Sequence, residues 1–137
     1  MPLGNVLGEF TYNAMSVKQT DLGGGRAQVE VNLAGESTGR VSGRLLATLI
    51  IEGSGPGRPS TYTVTGVLLG ASGAVARFSS NGVGMRTGDG HKSRFRGAVT
   101  LATDDPQLAA YNTMLAATEF EADPITLKVQ GAVCEWN

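Results

Sequence analysis

Apolar and polar residues alternate with a period of two through six stretches of this chain, while a helical period shows in one short segment only. Such alternation lays one face of an extended strand on a core and turns the other toward water. The clearest case is 26–33, RAQVEVNL. Ala27, Val29, Val31 and Leu33 share one face, and Gln28, Glu30 and Asn32 the other. Segment 7–17, LGEFTYNAMSV, reads as a first strand, followed by a glycine-rich turn at 21–25. Segment 40–52, RVSGRLLATLIIE, begins by alternating and turns apolar on both faces from 45 to 51. That predicts cover on both sides, by the lumen and by a helix or a partner subunit. Segment 61–69, TYTVTGVLL, is rich in β-branched residues and leads through the turn GASG into 74–80, AVARFSS. The loop-like GSGPGRPS (53–60) precedes it. Segment 81–90, NGVGMRTGDG, reads as irregular. Segment 91–103 alternates again, with Lys92, Arg94 and Arg96 opposite Ser93, Phe95, Val99 and Leu101. The last predicted strand is 125–136.

The one helical segment lies between these last two. Asp105 stands at a natural N-cap and Pro106 at the first helical position, where a missing N–H costs nothing. Leu108, Tyr111, Asn112 and Leu115 then fall on one α-helical face, which predicts a helix at about 105–116. The sum is an all-β, antiparallel barrel of seven or eight strands, with one short helix near the C-terminus lying across an opening. Closure removes the edges that an open sheet would leave.

Composition narrows the picture. The 137 residues predict a single domain over 1–137. Net charge is −1, from 11 basic and 12 acidic residues, which leaves no electrostatic footprint for nucleic acid or an anionic membrane. The longest nearly apolar run, 45–51, is far short of the ~20 residues of a membrane helix. The N-terminus lacks the pattern of a signal peptide, so a cytoplasmic protein is expected. One cysteine, Cys134, and one histidine, His91, argue against a disulfide, a protein-built zinc site and a catalytic triad. The glycine clusters 53–57 and 82–88 have neither the spacing nor the following helix of a nucleotide loop, and turn geometry explains them. No cofactor is expected.

Four residues stand out as candidate chemistry. Glu30 sits on a polar face that is either exterior or a polar patch in the lumen; in an apolar lumen its carboxyl would act as a general acid or base. Tyr12 is one of few aromatics able to line a pocket. Arg96 offers a planar fork for a carboxylate or enolate oxygen. Asn112, on the face of Leu108 and Leu115, points inward on an α-helical wheel and needs a partner there: the strand of Arg96, a water or a ligand. The alternative for Arg96 and Asn112 is that they pin the helix to the barrel.

The stretch from Phe95-Arg96 through Thr103-x-Asp105-Pro106 to Asn112 resembles a family of small uncharacterised bacterial proteins with a lipocalin-like barrel, grouped with the calycin and allene oxide cyclase-like barrels. EFTYNA (9–14), GRVSGRLL (39–46) and the closing V-x-G-x-V-x-E (129–135) are similar to strands of that family. The chain departs from the family after the helix, where AATEFEADP replaces a glycine-containing turn. The resemblance implies a barrel related to ligand binders and cofactor-free cyclases, often assembled as dimers or trimers. The leading expectation is a binder of a small, largely apolar molecule carrying a carboxylate or carbonyl, itself a homodimer or homotrimer. The alternatives are a cofactor-independent isomerase, cyclase or lyase acting in the lumen, and a structural module with a filled core. A cavity of ~300 Å³ or more favours the first two; a lumen packed with side chains favours the third.

Overall fold

The computed structural model describes residues 4–54, 58–87 and 90–136. Eight strands run in chain order: β1 (Val6–Gly23), β2 (Arg26–Gly39), β3 (Gly43–Gly53), β4 (Ser60–Leu69), β5 (Val75–Arg86), β6 (Ser93–Thr103), β7 (Ala116–Asp123) and β8 (Lys128–Glu135). Each pairs antiparallel with its neighbour, and β8 pairs with β1 to close the barrel. The alternation in 26–33 does what its period demands. Val31 and Leu33 are buried in the lumen, while Asn32 faces out and hydrogen-bonds Ser16 and Thr48 on neighbouring strands.

Two stretches differ from the sequence-based expectation. The run 116–123, AATEFEAD, is a full strand, β7, rather than part of a connection. Its Thr118 and Phe120 face the core between outward Glu119 and Glu121. Residues 81–86 are not irregular but continue β5; residues 88–89 of that glycine-rich segment, and 55–57 of the loop before β4, lie outside the described residues. The glycines have a packing reason. A Cβ on Gly84 would collide with the ring of Phe95, and one on Gly97 with the Asn81 carbonyl and the Tyr62 hydroxyl. Their absent side chains make room for aromatic rings, as glycine does where backbone and side chain approach closely.

Those rings plug the half of the lumen nearer the β5–β6 connection. Phe95 and Phe120, opposite each other in the β6–β7 ladder, stack with centroids 4.9 Å apart. Tyr62 meets both edge-on, at 5.5 and 5.0 Å. Phe10 and Tyr12 extend the cluster. Offset and edge-to-face pairs at these separations add attraction beyond the area they bury.

The predicted helix is a correction. In place of an α-helix over 105–116 there is a five-residue 3₁₀ helix, Ala109–Thr113, joining β6 to β7. Successive bonds run from the Leu108 N–H to the Asp105 carbonyl, from Tyr111 to Leu108 and from Met114 to Tyr111. With three residues per turn the shared face is Leu108, Tyr111 and Met114. Asn112 and Leu115, inward on an α-helical wheel, are rotated to solvent. Leu108, not Asp105, stands at the N-cap and makes no side-chain cap bond; the Asp105 carboxylate accepts the Gln107 N–H at 2.8 Å in the turn that precedes the helix.

Candidate functional site

Above the aromatic plug, toward the 3₁₀ segment, the lumen is not filled. A cavity of about 110 Å³ remains. Leu33, Leu45, Leu49, Leu68, Leu101 and Val129, inward residues of β2, β3, β4, β6 and β8, are among the residues that form its wall. Tyr111 and Met114 reach it from the 3₁₀ face. The space is thus built by the same period-two alternation that builds the core. Its bulk is limited from below by Phe10, Tyr12 and Phe120.

Among the described lining residues, the polar side chains are Tyr12, Ser37, Ser80, Tyr111 and Thr118. Three hydroxyls have partners within the protein. Ser37 donates to the Val41 carbonyl at 2.6 Å, Thr118 to the Ala132 carbonyl at 2.9 Å, and Ser80 shares a 2.8 Å bond with the Tyr62 hydroxyl. Tyr12 is different. It is only 5% exposed, and burial is the one influence on its phenol, which it pushes well above the ordinary tyrosine pKa. No hydrogen bond offsets that effect, whereas for Tyr62 the bond with Ser80 opposes it. Desolvation disfavours the phenolate, so Tyr12 keeps its proton through the physiological range.

The four residues singled out in the sequence are not brought together. Tyr12 lines the cavity. Glu30 lies on the opposite face of β2 from Val29, Val31 and Leu33, in register with Lys18 of β1 and Ile50 of β3, so it is outside the lumen. Arg96 projects from the outer face of β6, where its Nε and that of Arg94 both lie 3.6 Å from the Glu119 carboxylate. Exposed pairs of this kind contribute little to stability. Asn112 finds its partner on β6, the strand of Arg96. Its amide oxygen accepts the Thr103 N–H at 2.8 Å and its amide nitrogen donates to the Thr103 carbonyl at 2.9 Å. It substitutes for a ladder partner at the strand end. Asn112→Leu removes both bonds and is expected to lower stability by about 1–2 kcal/mol, read as a lower melting temperature, with cavity binding retained.

Ser80 and Thr118 are polar lining residues not singled out from the sequence. Period-two counting from Phe78 and Phe120 places both on inner faces, a signal that is present. Tyr111 lies on the predicted helical face, and the three-residue period keeps it there. His91 and Cys134 fall at opposite ends of the barrel, in the β5–β6 connection and near the end of β8.

No protein-family model matches the chain. No curated protein matches it either. Solved structures do. A protein of unknown function from Clostridium acetobutylicum superposes with a TM-score of 0.77 at 14% identity, covering 97% of this chain and 98% of that one. A conserved protein of unknown function from Rhodopseudomonas palustris gives 0.75 at 14% identity, over 95% and 93%. A β-barrel-like protein from Acinetobacter baumannii gives 0.78 at 13% identity, over 99% and 96%. At these identities the likeness is one of fold, and what this chain shares with them, end to end, is the barrel.

Proposed function

We propose that the protein binds a small, largely apolar molecule in the lumen. The observation that carries this reading is the unfilled, leucine-walled space of about 110 Å³ in an otherwise close-packed barrel. Protein interiors hold few voids larger than a water molecule. Apolar cavities of roughly 150 Å³ stay dry and take up benzene. The space falls short of the ~300 Å³ expected of an open ligand-binding lumen, so the ligand in this reading is no larger than a small ring.

Arg96 and Asn112 serve the scaffold in this reading, and Glu30 stands outside the cavity. Kinship with the allene oxide cyclase-like barrels belongs to the same proposal. The enzyme that goes with such kinship needs a proton-transfer group in the lumen, and a phenol held protonated is a donor rather than a base. A second reading, a structural module with a filled core, is favoured by the aromatic plug. Mass spectrometry of the protein purified natively, against the same protein refolded from denaturant, separates the two. A small neutral compound released stoichiometrically from the native sample supports binding; its absence from both samples supports the filled module. We also propose self-association through the outer face of β3, where Leu46 is 42% exposed. Light scattering that gives 14.1 kDa at micromolar concentration contradicts it.

A further inference from the structure

We infer that the cavity selects a neutral molecule carrying one hydrogen-bond acceptor, a compact ketone, aldehyde or ester, and that the Tyr12 hydroxyl is the group that holds it. This rests on the ligand-binding reading above and names the chemistry of the same site. Ser37 and Thr118 donate to backbone carbonyls, and Ser80 shares one bond with the Tyr62 hydroxyl. Tyr111 reaches the space from the half-exposed 3₁₀ segment, at the opening rather than deep in the lumen. Tyr12 lines the cavity, is 95% buried by its exposure of 5%, and makes no hydrogen bond to a described residue. Among the described residues no sealed side-chain polar atom lacks a partner, so this hydroxyl is not walled in. A ligand oxygen that accepts from it makes a hydrogen bond in a largely apolar site, where such a bond is stronger than in water.

Charge excludes the carboxylate. No Lys, Arg or His is among the described lining residues, and Arg96 is on the outer face paired with Glu119. A carboxylate in this cavity would lose its hydration with no cation to offset the loss. A ketone oxygen needs one donor, and Tyr12 is the most deeply buried hydroxyl on the lining without a partner among the described residues. Burial keeps the Tyr12 proton in place to be donated.

The test compares two probes of nearly one shape, cyclopentanone and methylenecyclopentane, on the wild-type protein and on Tyr12→Phe, which deletes one oxygen atom. Affinities are read by methyl NMR titration. Water solvates the ketone better than the alkene, so the informative quantity is the ketone-to-alkene affinity ratio. That ratio is expected to fall about three- to tenfold in the variant, the effect of one hydrogen bond. The infrared C=O stretch of bound cyclopentanone should lie at lower frequency in the wild type than in Tyr12→Phe. Cyclobutanecarboxylate should not bind. An unchanged ratio, an unshifted carbonyl band or binding of the carboxylate overturns this inference while the alkene's binding leaves the cavity reading standing. Failure of both neutral probes to bind the wild type overturns both. The wild-type infrared and carboxylate measurements decide the matter even if the variant folds poorly.

Discussion

Phe95→Ala is expected to cost about 3–5 kcal/mol, the range for truncating a buried phenylalanine, and to lower the melting midpoint by roughly 10–20 °C. Phe95 is 1% exposed, stacks on Phe120 at 4.9 Å and takes the edge of Tyr62 at 5.5 Å. It also fills the space left by Gly84. Its removal therefore leaves a hole that neighbouring backbone cannot close without breaking the β5–β6 ladder. Chemical denaturation followed by tryptophan fluorescence measures the change; a cost below about 1 kcal/mol would mean that the plug is not packed as described.

Ala116→Leu should do the reverse to stability and abolish binding. Ala116 is 6% exposed and lines the cavity at the start of β7. Leucine adds three carbon atoms directed into the empty space. Burying its added apolar carbons against the leucine wall should contribute about 1–2 kcal/mol, provided a relaxed rotamer is available. Affinity for any lumen ligand should drop by at least two orders of magnitude, because ligand and side chain occupy the same volume. A destabilised variant that still binds would put the void elsewhere.

The barrel was legible because its period is legible. Val29, Val31 and Leu33 on β2 and Phe95, Val99 and Leu101 on β6 declare an inner face without help from tertiary structure. β7 was harder. Its three alanines and two glutamates carry helical propensity, and only Thr118 and Phe120 mark the inward register. Strand pairing on both sides, with β6 and β8, overrides that propensity. The glycines at 82 and 84 read as turn residues because their role is set by the Arg96–Gly97 backbone and the Phe95 ring, on the neighbouring strand β6.

The site was less legible for a similar reason. Tyr12 was visible as an inward aromatic. Asn112 was assigned inward on a period of 3.6; the segment adopts three residues per turn and turns it to the Thr103 backbone. Glu30 could be placed only by knowing which face of β2 meets the lumen, and its neighbours Val29 and Val31 hold that face. The cavity itself is a mismatch of side-chain volumes across eight strands, which no local pattern encodes.

The most direct test of a ligand-accepting lumen is a benzene titration of protein labelled at its leucine, valine, isoleucine and methionine methyl groups. Saturable shifts are expected, concentrated on Leu45, Leu68, Leu101 and Met114, which line the cavity, with little change at the exposed Val83 and Ile125. Shifts that do not saturate, or that fall mainly on Val83, Ile125 and other exposed methyls, would contradict it.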